Sequence, residues 1–398
     1  MPMSGRLADL YGRRRMFLLG LALFGAASAL CAAAPSELAL IIARLIQGVG
    51  AALVQSLALA IATNALPEER QGWAVGFLAS VGTTCLTIGP LVGGALVEAG
   101  SWRWIFVLNM PIVLFSLIVA ARFAGESRDP RAAPIDWAGA AVLFVALSVL
   151  VASLLHIVDW PHALTAGGIA LGVALLTVFV RMEHRRRHPL IPVTLLRRSA
   201  VVGPLIALLV IQFAVLAVTV YVILYLQQSL DYGPLAAGAL LLPAVIWSGL
   251  LSTVAGRMAD KHGSGRLIYG GLALAAAGLL GIAIAAATDE VWLLLVALLV
   301  FGLARPSVFT PAGAAEIEAI PRAERGLSSS LVTEARQLGA VLGVAVAGAV
   351  LTAVESAAGG DKAEALADGL AAAMLVSAGL AAAAAVVTSR LMGRRRPT

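Results

Sequence analysis

Near the start of the chain, an acid, a run of bases and two glycines fall within eleven positions. Asp9 precedes Arg13, Arg14 and Arg15, with Gly5 and Gly12 alongside. Glycine admits positive φ and close backbone approach, so the stretch reads as a tight turn. An aspartate there can hold a charge pair or cap a neighbouring helix in one state and release it in another. That is a reversible latch between rigid bodies. The arginines also suit a simpler task, fixing the orientation of the chain in a membrane. The glycine and the acid recur as Gly256 and Asp260 in Gly256-Arg257-Met258-Ala259-Asp260, which favours the latch for Asp9.

A second group of polar residues lies inside apolar sequence. Arg44, Gln47, Gly48, Ala51 and Gln55 follow i, i+3, i+4, i+7 and i+11, one polar-or-small stripe of a helix. Arginine at the centre of a span costs about 2.5–3.5 kcal/mol on insertion scales, so it must face protein or water. The stripe is therefore expected to line a cavity; the alternative is an Arg44 satisfied by carbonyls near the outer interface. Glu334 is the one acid well inside a predicted span. Such a carboxylate can take up and release a proton; equally, it can be an acid favoured at a helix start, since Ser328, Ser329 and Ser330 precede it. Arg336 lies beside it. Gly89-Pro90 and Gly93-Gly94 remove side chains and one backbone donor mid-span, so that a helix can kink or a neighbour can approach closely.

These groups must be positioned by membrane helices. The 398 residues are 60% hydrophobic and 13% charged, about half the charge of an ordinary soluble chain. Apolar runs long enough to cross a core of about 30 Å recur along the chain. They cover 16–34, 38–66, 72–98, 104–122, 137–158, 163–181, 200–225, 234–256, 267–287, 291–311, 327–353 and 369–391, which makes twelve spans and an all-α polytopic fold. Of 28 Lys and Arg, 24 fall at the termini and in alternate loops: four in 1–15, Arg70, three in 122–131, six in 181–198, three in 257–266, three in 305–325 and four in 390–396. The opposite loops hold Arg103 and Lys362, and Arg44 and Arg336 lie within spans. The asymmetry places both termini in the cytoplasm. It also accounts for the net charge of +6 without nucleic acid.

The two halves repeat. LPEERQG, from Leu66 to Gly72, returns as IPRAERG, from Ile320 to Gly326, and Gly48, Gly89 and Gly94 return as Gly302, Gly343 and Gly348. Helical half-repeats of this kind typify transporters, with the solute site between the halves. The second copy has two spans, 200–225 and 234–256, ahead of its Gly-x-x-x-Asp loop; the first copy has none. The pair 137–158 and 163–181 has no counterpart. The expected organisation is a four-span first bundle over 1–122, a linker region over 123–199 carrying the extra pair, and a six-helix bundle over 200–398. The parent then has fourteen spans, of which twelve remain.

In these residues the chain resembles the major facilitator superfamily, and most of all its fourteen-span drug:proton antiporter branch. Gly5 to Arg14 resembles the loop between the second and third helices of that family. Arg44-Leu-Ile-Gln47-Gly48 resembles its fourth-helix arginine motif, and Gly89-Pro90-Leu-Val-Gly93-Gly94 its antiporter motif. Trp102 to Phe106, Asp136-Trp137, Tyr225-Leu-Gln227 and Arg336-Gln337-Leu-Gly339 resemble further landmarks of the branch. The resemblance implies a conformational switch at Gly5, Asp9, Gly12, Arg13, Arg14, Gly256 and Asp260. The polar stripe, the intramembrane acid and its neighbour make Arg44, Gln47, Gln55, Glu334 and Arg336 the candidates for transport and proton coupling; at Glu334 the chain departs from the branch, which often has Asn there.

The resulting expectation is a secondary active carrier of a bacterial inner membrane, monomeric and bathed in lipid, exporting drug-like amphipathic molecules against protons. The alternatives are a same-fold carrier of other direction or coupling, and a truncated, non-transporting fragment or misplaced start. No catalytic residue, cofactor or metal is expected. Neither Lys261 nor Lys362 follows a glycine as a phosphate-binding loop requires, and Cys31 and Cys85 suggest neither a disulfide nor a metal site. The topology has a direct test. A thiol introduced at Asp231 should be labelled by an impermeant reagent from outside and one at His188 spared; the reverse pattern overturns the orientation.

Overall fold

The computed structural model describes residues 2–64, 67, 78, 81, 82, 85, 88–128, 136–186, 198–319, 325–358 and 362–392. All regular structure among the described residues is α-helix: α1 Pro2–Tyr11, α2 Arg13–Ala33, α3 Glu37–Asn64, α4 Ile88–Glu98, α5 Arg103–Phe123, α6 Trp137–Leu155, α7 His162–Arg185, α8 Ser199–Gln228, α9 Pro234–Leu240, α10 Leu242–Leu250, α11 Ser252–His262, α12 Ser264–Thr288, α13 Val291–Ala319, α14 Arg325–Ala358 and α15 Lys362–Met392. Ten of these are long and apolar enough to cross a membrane. Contacts divide the chain into two units, Met1–Asp136 and Trp137–Thr398.

In the first unit, α2 packs along both α3 and α5. Small residues bring the backbones together. A Cβ on Gly20 would lie 2.7 Å from Leu53 Cβ, and one on Gly50 would lie 2.6 Å from the Phe24 amide nitrogen. Leu21, Val113 and Ala120 form a modest apolar cluster, flanked by Phe17, Phe24 and Val54.

The second unit has a far larger core, with α8 at its centre. This helix packs on α12, α13, α14 and α15. Its approach to α14 depends on Gly339 and Gly343, where a Cβ would collide with the carbonyl oxygens of Leu209 and Phe213. The spacing is that of a small-xxx-small helix contact. Tyr221 Oη then donates to the Val344 carbonyl at 2.6 Å. The unpaired helices α6 and α7 pack on each other, and α6 also contacts α14.

Helix bounds follow the repeat. The short helices α1 and α11 each end at a glycine with positive φ, Gly12 at 107° and Gly263 at 87°, and each glycine precedes the next long helix directly. Shifting α3 by 254 residues lays it on α13. The equivalent helices differ sharply in burial. The apolar stretches of α2, α3 and α5 are 28%, 22% and 11% buried, against 44%, 50% and 44% for α12, α13 and α15. The second unit has α8, α9 and α10 to cover these faces, whereas the described residues of the first have no counterpart.

Two expectations about the spans change. Residues 234–256 run as three helical segments, α9, α10 and the start of α11, joined through Leu241 and Leu251; across the second joint the Leu251 amide donates to the Trp247 carbonyl and the Ala255 amide to that of Leu251, at 2.9 and 2.8 Å. Pro234 and Pro243 each begin a helix, where the missing N–H costs nothing, and Leu251 sits in the sparsely allowed bridge region at φ −101° and ψ −3°. The span expected over 291–311 runs on to Glu316, with Pro306 and Pro311 inside a continuous helix. Twelve of the 27 residues of the span expected over 72–98 lie outside the described residues, and so does the LPEERQG stretch apart from Pro67.

The packing difference yields a paired prediction. Gly343→Ala forces a methyl into the α8 backbone and should cost about 1–3 kcal/mol. Gly89→Ala, at the repeat-equivalent position, meets no atom within 4 Å and should be neutral or slightly stabilising. Melting curves of the detergent-purified chain measure both.

Candidate functional site

Asp9 pairs with Arg13 on its own segment. Nε and Nη2 of Arg13 both donate to Asp9 Oδ1 at 3.0 Å, across the Gly12 turn. Both side chains are 31% exposed, so the pair contributes about 0–1 kcal/mol, small enough to be released. The turn is also tied to the segment after α5. Glu126 Oε1 accepts from the Arg14 and Ser127 amides at 3.2 Å, and Oε2 lies 3.7 Å from Arg15 Nε. Arg14 Nη2 donates to the Ala121 carbonyl, Arg128 Nε to that of Leu10, and the Arg13 amide to that of Ser127 at 3.0 Å. Glu126 thus acts as a remote N-terminal anchor of α2. Sequence reasoning missed it because 112 residues separate it from Arg14 and loop charges carry no periodicity.

The second copy of this turn lacks the pair. Asp260 is exposed, and the position equivalent to Arg13 is Ser264. Gly256 remains close to α13, where a Cβ would lie 3.7 Å from Thr310 Cγ2.

Arg44 heads a hydrogen-bonded chain in the first unit. Its Nη1 donates to Gln47 Oε1 at 2.8 Å, and Gln47 Nε2 donates to Ser28 Oγ at 2.7 Å. Ser28 Oγ donates to the Phe24 carbonyl at 2.7 Å and accepts from Asn109 Nδ2 at 3.4 Å. Gln47 and Ser28 are buried, and between them α2, α3 and α5 are linked. Arg44 itself stands 5.6 Å over the Phe106 ring. The expected stripe therefore divides. Gln47 turns into the unit, whereas Arg44, Gly48 and Gln55 are exposed and Gln55 joins no part of this network. On α4, Gly89 and Gly93 are open, Pro90 is half-buried and Gly94 is buried.

In the second unit the ionisable groups differ from those expected. Glu334 lies nine residues into α14, well past the first turn, where the helix dipole acts. The side chains of Ser328, Ser329 and Ser330 lie outside the described residues. Glu334 is not the only acid in the spans. Glu316 on α13 is fully buried, and neither of its oxygens has a hydrogen-bond partner. Arg305, counted above with a basic loop, is 9% exposed in the middle of α13. Arg305 and Arg336 share one ring, with Cζ 5.4 and 4.7 Å from the Phe309 centroid. The periodicity Arg305, Phe309, Ala312, Glu316 was available as a signal.

The family profile of the Major Facilitator Superfamily matches residues 1–344. The multidrug resistance protein Stp of Mycobacterium tuberculosis is 31% identical over 357 residues, 89% of this chain and 66% of Stp. The puromycin resistance protein pur8 of Streptomyces alboniger is 31% identical over 361 residues, 89% of this chain and 72% of that protein. The chain thus spans about two thirds of the length of Stp. An auto-inhibited peptide transporter of the POT family shares the fold, with a TM-score of 0.69 at 16% identity, covering 100% of this chain and 86% of its own.

The Ser28 node gives a prediction. Ser28→Ala removes the acceptor for two amides at once and should lower stability by about 1–3 kcal/mol, more than removing one surface hydroxyl would. Thermal melts of the variant, with Ser116→Ala on exposed α5 as the comparison, measure the difference.

Proposed function

The chain belongs to the Major Facilitator Superfamily, and from that membership we propose that it is the larger part of a secondary active carrier. It exports drug-like, amphipathic molecules in exchange for protons. The observation that carries the reading is a set of charged and amide side chains inside apolar spans of both repeats: Arg44 and Gln47 in one, Arg305, Glu316, Glu334 and Arg336 in the other. Ionisable groups at that depth are costly and mark solute or proton pathways. The resistance and efflux names of the relatives support export. Glu334 and Arg336 serve coupling, Arg44 and Gln47 hold the first repeat at the pathway, and the Asp9–Arg13 turn is the conformational switch.

The bareness of α2, α3 and α5 beside their repeat equivalents favours a fourteen-span parent with two further helices ahead of α1. The bundles are then 1–122 and 200–398, with α6 and α7 between them in 123–199. Bacterial relatives and the basic-residue asymmetry favour the inner membrane with cytoplasmic termini. The same bareness favours a second reading, in which the chain without those helices folds but does not transport.

Proton-driven uptake into inverted vesicles tests the proposal, with two upstream helices restored. Glu334→Gln should reduce pH-driven uptake at least tenfold while counterflow of preloaded substrate persists. Arg44→Ala should impair both, and Arg44→Lys should recover only part, since the ammonium lacks the planar fork. Unchanged proton-driven uptake in Glu334→Gln removes that residue from coupling. Uptake by the restored form and none by the 398-residue chain favours the second reading, and no uptake by either overturns the carrier proposal.

A further inference from the structure

We propose that Arg305 and Arg336 form a binding site for the acidic group of an amphipathic substrate, a carboxylate or comparable oxyanion, within the second unit. The proposal rests on the carrier reading above and specifies the chemistry of its cargo. Arg305 lies near the midpoint of the span Val291–Glu316 and is more than nine-tenths buried. Arg336 comes from α14, and the two guanidiniums share the Phe309 ring. Arg305 Nη1 and Arg336 Nε are buried donors without a hydrogen bond. Among the described residues, no carboxylate forms an ion pair with either guanidinium.

The acids on the same helices are poorly placed to serve. Glu316 is eleven residues along α13, about 16 Å along the axis at 1.5 Å per residue. Glu334 precedes Arg336 by two residues, which at 3.6 residues per turn sets it about 200° around α14. Two cations set against one ring in a medium of low dielectric repel each other, and the ring offsets little of that. An oxyanion would offset the charge and accept from both forks, the geometry for which guanidinium is suited. Phe309 supplies a flat apolar wall for the carbon body beside the acid. The first repeat has no such pair: the position equivalent to Arg305 is Ala51. The site therefore belongs to one repeat alone.

The test compares two probes that differ only in the acid. Binding of N-dansyl-leucine and of its methyl ester to the full chain in lipid nanodiscs is followed by dansyl fluorescence, with empty discs subtracted. The carboxylate should bind about tenfold tighter or more than the ester. Arg305→Gln and Arg336→Gln should each bring that ratio to about one, and Arg305→Lys should keep part of it. If either glutamine variant does not fold, the wild-type ratio and Arg305→Lys decide. A wild-type ratio near one, or a ratio preserved in both glutamine variants, overturns the anion site and leaves the carrier reading standing. Binding of neither probe overturns the anion site, while the carrier reading stands or falls with the uptake assay.

Discussion

Inside hydrocarbon, a helix gains little by burying apolar side chains against another helix, because lipid tails are equally apolar. Association has to come from close packing and from polar groups that find partners. In this chain the close packing comes from glycines, and what each glycine meets decides how complete its half of the molecule is. Gly339 and Gly343 carry the backbone of α8. Their repeat equivalents, Cys85 and Gly89, are both exposed. From that difference follow the large core around α8, the modest cluster around Val113, and the low burial of α2, α3 and α5.

The polar groups obey the same constraint in opposite ways. In the first half, Ser28 joins Gln47 and Asn109, and Gln47 joins Arg44, so three helices share one satisfied chain. Such a network rigidifies the helices that it links. In the second half, Arg305 and Arg336 keep buried donors unsatisfied, and Glu316 keeps both oxygens so. One half is thus held together by its polar residues, while the other buries polar atoms that find no partner within it.

The repeat and most of the helices were legible in the sequence because length and hydropathy act locally. Helices α2, α3, α5, α6, α7, α8, α12, α13 and α15 all fall where apolar runs place them. The errors have physical causes. The expected span 291–311 stopped five residues short of Glu316, which the helix includes. Arg305, inside that span, was counted with the basic residues that follow it. Residues 234–256 are helical as their apolar run suggests, but in three segments with joints at Leu241 and Leu251, which hydropathy does not encode. The Asp9 turn was recognisable from its glycines and charges. Its partner Glu126 was not, since only the fold brings residue 126 beside residue 14.

The central claim is that the first half is packed less tightly than its repeat. Cys31 on α2 is fully buried, and its repeat equivalent, Ile282 on α12, is fully buried as well. In a Cys85→Ser background, the reactivity of Cys31 towards a thiol reagent is compared with that of a thiol introduced by Ile282→Cys with Cys31→Ser, as sodium dodecyl sulfate is titrated into the micelles. Cys31 should become reactive at the lower detergent fraction. Simultaneous exposure of the two thiols, or earlier exposure at position 282, would contradict the account.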